Sequence, residues 1–100
     1  MNEHFNQLTP AEAERLALLL EEMGEAQQMI GKVLRHGYYS FHPKDDSETV
    51  NAALLAKEMG DVQAALKMMF DADDISKDLV NEAKSKKLKA VQRYLHHQGK

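Results

Sequence analysis

Two acidic pairs in this sequence have the residue types and spacing that divalent-cation chemistry requires. Glu22 and Glu25 stand three apart in Glu21-Glu22-Met23-Gly24-Glu25, and Glu58 and Asp61 repeat that spacing in Glu58-Met59-Gly60-Asp61. On a helix, residues three apart share a face with Cβ atoms about 5–6 Å apart, so each pair can converge on one hard cation or a small metal cluster. One such pair alone would be ordinary surface chemistry. Two inside strongly apolar segments are informative, because their charges repel unless solvent, a base or a metal offsets them. Two readings stand side by side: a site holding Mg²⁺, or two solvated acid pairs. Glu21 fits either the surroundings of a metal or plain water.

Carboxylate-held magnesium suits phosphate esters, which need charge neutralisation, an oriented leaving group and an activated water. Such chemistry uses no nucleophilic side chain, so Ser40, Ser47 and Ser76 receive no covalent role. Lys84 and Lys87, about one helical turn apart, and Arg35 are candidates to contact phosphate, although each also reads as an ordinary solubilising charge. Asn51 can hydrogen-bond a base or sugar, or simply be a polar helix residue. His36 and His42 flank an aromatic segment and are candidates for nucleotide contact, whereas His96 and His97 suit a helix C-terminus. The G-x-x-x-x-G-K-Ser/Thr phosphate loop does not occur, which disfavours an ATPase of that class. Asp71 to Asp74 lack the spacing and terminal glutamate of a calcium hand.

Three helices must position these groups. Thr9-Pro10-Ala11-Glu12 combines a capping threonine, proline at the first helical position and glutamate three residues past the cap. Leu16, Leu19, Leu20, Met23, Ala26, Ile30, Val33 and Leu34 then recur at steps of mainly three and four to about Arg35, with Gly37 as the stop. Residues 36–48, interrupted by Gly37 and Pro43, read as a loop, in which Tyr38, Tyr39 and Phe41 either cap the bundle end or close over a ligand. A second helix is predicted from near Ser47 to Thr49, carrying Val50, Leu54, Leu55, Met59, Val62, Leu66 and Met69. Ser76 is a suitable N-cap for a third, running to about His97 with Leu79, Val80, Ala83, Leu88, Val91, Tyr94 and Leu95 as its apolar material. Gly24 and Gly60 each cost about 1 kcal/mol relative to alanine inside a helix, which suggests close packing or a nearby ligand.

The chain has 100 residues, 43% apolar and 29% charged, with a formal charge of -3 and no cysteine. That describes one all-α globular domain over residues 1–100, excludes disulfide scaffolds and thiolate zinc sites, and gives no broad attraction for nucleic acid despite the basic stretch from Lys84 to Lys89. No apolar run is long enough to span a membrane, and Met1 to Gln7 has no signal core, so a cytoplasmic location is expected. Leu18, Met29, Leu55 and Met68 lie outside narrow apolar stripes. They point to self-association into an oligomeric core like a four-helix bundle, with a homodimer as the first choice, or else merely broaden each packing face.

Taken together, Glu21-Glu22-Met23-Gly24-Glu25 and the later Glu58-Met59-Gly60-Asp61 resemble the motifs of the MazG-like all-α nucleotide pyrophosphohydrolases, over most of residues 9–97. The segment from Leu34 to Pro43, Asn51, and Lys86-Lys87-Leu88-Lys89 with Val91 and Tyr94 extend the likeness to short phage and bacterial relatives. The resemblance implies Mg²⁺ coordination by Glu22, Glu25, Glu58 and Asp61, dimeric or tetrameric assembly, and hydrolysis of nucleoside triphosphates to monophosphate and pyrophosphate. It slightly favours Glu22 as the carboxylate that orients or deprotonates water. The 32 residues between Glu25 and Glu58 make a long gap for the family, and a lysine-asparagine-arginine signature has no clean match in the third helix. The competing expectation is a noncatalytic helical oligomer that binds a nucleotide or a protein partner.

Overall fold

A computed structural model describes residues 6–99 as three α-helices without a strand among them: α1 (Pro10–His36), α2 (Asn51–Asp71) and α3 (Lys77–Ala90), followed by a short 3₁₀ turn, Val91–Arg93. Met1 to Phe5, part of the segment without an apolar signal core, lie outside the described residues. The start of α1 is the expected capping box. Thr9 Oγ1 accepts from the Glu12 amide at 3.1 Å, and Glu12 Oε1 accepts from the Thr9 amide at 2.8 Å, so two otherwise orphaned donors are satisfied. The helix ends at Gly37, whose φ of 88° favours glycine and whose amide donates to Val33 O.

The second helix starts later than the sequence suggests. Ser47 and Thr49 do not cap it, because both turn back on Asp45, whose carboxylate accepts from the Ser47 amide and hydroxyl and from the Thr49 amide. Those bonds hold the Asp45 carboxyl below its ordinary range. In place of a side-chain cap, the loop backbone serves the helix: the amides of Asn51 and Ala52 donate to Ser40 O and Tyr38 O, each at 2.8 Å. Asn51 Nδ2 adds a bond to Gly37 O at 3.0 Å, tying the end of α1 to the start of α2. At the opposite end, Arg15 near the start of α1 grips Asp74 just past α2 through two bonds of 2.6 and 2.9 Å. The two clamps define α1 and α2 as an antiparallel hairpin.

Arg15 lowers the Asp74 pKa below its ordinary 3.8. A carboxyl depressed in the folded state contributes stability that is present above its unfolded pKa and lost as pH falls through the folded one. The melting midpoint is therefore expected to fall on acidification below about pH 4. The Arg15→Gln variant should melt lower at neutral pH and lose less on acidification, as a calorimetric pH series would show; identical acid profiles would exclude the clamp.

Ser76 caps α3 as expected, its hydroxyl accepting from the Leu79 amide. The helix nevertheless ends at Ala90 rather than near His97, and Tyr94 and Leu95 lie beyond it. The expected apolar face is also scarcely used: α3 buries no residue, and Leu79, Leu88, Tyr94 and Leu95 are exposed. The radius of gyration, 17.5 Å, exceeds the about 13 Å of a compact chain this long.

The seam of the hairpin holds the only buried apolar residues among those described, Ala26 and Met29 from α1 and Ala65 and Met69 from α2. Met29 thus faces inward, while Leu20, at 74% exposure, and Leu34, at 82%, face outward. Gly24 and Gly60 have open space where a side chain would project, so no close packing within the chain explains them. Nor do the tyrosines cap the hairpin: Tyr38 and Tyr39 are exposed, their rings 6.4 Å apart.

Candidate metal centre

The α1 positions that follow the seam are 18, 22, 26, 29 and 33, and those of α2 are 54, 58, 61, 65 and 69, each at helical steps of three or four. Glu22, Glu58 and Asp61 therefore occupy places where a hairpin would otherwise bury apolar side chains, and Glu25 sits at the rim. The antiparallel packing brings the two pairs together. One carboxylate oxygen from each of Glu22, Glu25, Glu58 and Asp61 lies within 4.8 Å of every other; Glu25 is exposed and the remaining three are half-buried.

Electrostatically this arrangement is incomplete. Glu22 Oε1 and Glu58 Oε1 are buried and accept no hydrogen bond, an expensive state for carboxylate oxygens unless a cation or donor meets them. Burial, followed by repulsion from Glu25, Asp61 and Glu21, pushes the Glu22 pKa upward. Among the described residues only Asp61 of the four has a cationic partner, Lys57 Nζ at 2.8 Å, and Asp61 in turn raises the Lys57 pKa. The pair is exposed and screened by solvent, so one lysine cannot offset four acids. Oxygen ligands from two helices are the donor set that hard divalent cations prefer, and the two orphaned oxygens fit such an ion.

The other residues singled out from sequence are spread along the molecule. Asn51 is buried at the loop end of the seam, whereas Arg35 is exposed in the last turn of α1, where its charge favours the helix dipole. Lys84 lines a cleft between α2 and α3 with Gly60, Gln63 and Lys67. At 100° per residue that face of α2 points away from Glu58, Asp61 and Ala65. Lys87 does not line the cleft. Glu21 is exposed.

Two residues went unnoticed in the sequence. The i,i+4 relation to Asp61 was a sufficient signal for Lys57. Lys32 carried a weaker one, its position seven residues beyond Glu25 and hence on the same side of α1. The fold and site together define a small all-α protein with a carboxylate cluster able in principle to chelate a divalent cation. The chain matches no known protein family, no curated protein and no solved structure.

Proposed function

We propose that this chain is a Mg²⁺-dependent nucleoside triphosphate pyrophosphohydrolase, as its likeness to the MazG-like motifs implies. The observation that carries the reading is the pair of buried, unpartnered oxygens on Glu22 and Glu58 inside a four-carboxylate cluster. Glu22, Glu25, Glu58 and Asp61 hold the cation. When bound, Mg²⁺ supplies neutralisation of the triphosphate charge and stabilises the charge that develops on the leaving group. Glu22 orients the attacking water and takes its proton. The water oxygen bonds to the α-phosphorus as the bond to the α–β bridging oxygen breaks, and pyrophosphate leaves with that oxygen. Asn51 contacts the base or sugar, and Arg35, Lys84 and Lys87 serve phosphate.

Because Lys84 lines a cleft on the face of α2 turned away from the carboxylates of its own chain, its role depends on assembly. A compact chain of this mass exposes about 5,700 Å², and this one exposes 8390 Å². The surplus exceeds the about 800 Å² per partner that a standard interface covers, which supports self-association; a homodimer is preferred to a homotetramer on economy alone.

Pure protein with Mg²⁺ and a panel of canonical and modified ribo- and deoxyribonucleoside triphosphates is expected to release pyrophosphate and the matching monophosphate. Diphosphate plus orthophosphate would identify cleavage at a different bond. No turnover across the panel would leave the noncatalytic oligomer as the better reading.

A further inference from the structure

At the loop end of the hairpin seam, Lys32, His36, Ser40, Phe41, His42 and Asn51 line a cavity of about 240 Å³. Its position relative to the carboxylates follows from the helices. Lys32 lies seven residues past Glu25 and Asn51 seven before Glu58, so both are displaced about 10 Å toward the loop, on nearly the same helix faces as the acids. Ten ångströms is about the reach from the reacting phosphorus of a nucleotide to the far edge of its base.

The lining is that of a built site. Asn51 is 97% buried, with 3% of its surface exposed; its Nδ2 donates to Gly37 O, and no described residue donates to its Oδ1. The Lys44 amide donates to His42 Nδ1 at 3.1 Å, which places the proton of a neutral His42 on Nε2 and makes that atom a donor. Lys32 forms no ion pair among the described residues and offers only donors. Phe41 contributes an aromatic face, and Pro43 completes the apolar side. The volume falls below the about 300 Å³ at which drug-sized pockets begin, so one heterocycle with part of its sugar is a suitable occupant, and a bulky ligand is not.

We infer that this cavity receives the nucleoside end of the triphosphate and prefers a base with a ring carbonyl beside a ring N–H, as in guanine, hypoxanthine, uracil or thymine. The inference rests on the pyrophosphohydrolase reading for the identity of the ligand. Lys32 and His42 supply donors for the carbonyl, Asn51 Oδ1 accepts from the ring N–H, and Phe41 stacks on the ring. Adenine and cytosine present an amino group where this lining presents donors, and a donor facing a donor leaves both unsatisfied. A terminal phosphate is a poorer occupant, because Phe41 and Pro43 offer its oxygens no donor.

The test is an amide-resolved NMR titration of the full-length, Mg²⁺-loaded protein with α,β-methylene triphosphates of the common bases, and separately with inorganic tripolyphosphate. Carbonyl-base analogues are expected to shift the amides of Lys32, Ser40, Phe41 and Asn51, and to bind at least about tenfold tighter than the adenine and cytosine analogues. Phe41→Leu, which keeps apolar bulk but removes the ring, should weaken that binding several-fold and leave tripolyphosphate binding unchanged. Phe41 is partly exposed, and the Mg²⁺-induced rise in melting midpoint checks that the variant remains folded. Shifts of the same amides by tripolyphosphate, equal binding of all bases, or no nucleotide-induced shift in the cavity would each overturn the proposal. Pyrophosphate release without cavity shifts overturns the subsite alone. Cavity binding of hydrolysable nucleotides without pyrophosphate release overturns the hydrolase reading and leaves the subsite standing.

Discussion

Glu58→Gln is expected to abolish pyrophosphate release while leaving the metal-free protein as stable as before, or more so. Glu58 Oε1 is buried without a donor, facing three other carboxylates. The neutral amide removes one charge from that repulsion and brings N–H donors to its neighbours. In chelator the melting midpoint should therefore hold or rise. In Mg²⁺ the order reverses. An ion that binds only the folded state stabilises it by RT ln(1 + [metal]/Kd), about 2.7 kcal/mol at a hundredfold excess over Kd. For a chain this small that corresponds to roughly 10–20 °C. The variant should lose most of this shift and at least about a hundredfold in turnover, equal to about 2.7 kcal/mol of transition-state stabilisation. Melting curves with chelator and with Mg²⁺, at matched ionic strength, measure the first effect, and pyrophosphate release measures the second. Full turnover with the original metal response would show that Glu58 is no essential ligand and that the four-carboxylate site is wrong. Circular dichroism separates either result from a loss of helix.

That an aliphatic-looking helix face carries acids is visible in the linear sequence, and so is their convergence once α1 and α2 are set antiparallel. Local signals were equally legible where the responsible groups are close in the chain: the Thr9–Glu12 capping box, the stop at Gly37 and the Ser76 cap each involve residues within one turn of the helix end. The start of α2 was not legible, because its acceptors, Ser40 O and Tyr38 O, come from ten or more residues upstream, and the obvious capping side chains were committed to Asp45. The end of α3 carried no glycine stop, and apolar spacing continued through Val91, Tyr94 and Leu95 although the described residues leave Tyr94 and Leu95 exposed.

The hardest feature to read was which apolar stripe of α1 faces α2. Leu16, Leu20, Met23, Ile30 and Leu34, with Gln27 between, alternate at steps of four and three, the pattern of a coiled-coil seam. The neighbouring stripe, through Leu18, Glu22, Ala26, Met29 and Val33, looks poorer because it contains an acid. Yet it is the one that packs on α2, with Ala26 and Met29 buried, while all five apolar residues of the better stripe are exposed. Hydrophobicity alone ranks them wrongly; a cation to which Glu22 and Glu58 contribute jointly would supply the stabilisation that the acid-bearing seam lacks.

A homodimer would cover the exposed heptad-like stripe, and Leu20→Lys tests whether a second copy does so. Leu20 lies well inside the stripe and 74% of its surface is exposed in the single chain. Covering such a side chain is worth about 1.5–3 kcal/mol. In a symmetric dimer the substitution appears in both copies, and each lysine must either leave the interface or lose its hydration. Self-association should weaken by at least about a hundredfold. Light scattering should record a fall from a dimer or larger species toward the 11.3 kDa of one chain, and the melting midpoint should become lower and less dependent on concentration. Gln28→Lys, on the side of α1 facing away from both stripes, adds the same charge and should leave the mass unchanged. An original protein that is folded, active and monomeric throughout the assay range would show that the stripe serves no second copy. Loss of assembly in Leu20→Lys together with loss of turnover, while the carboxylates and their Mg²⁺-induced stabilisation persist, would mean that catalysis draws on residues across the interface, as the outward-facing cleft at Lys84 requires if that residue is to serve phosphate.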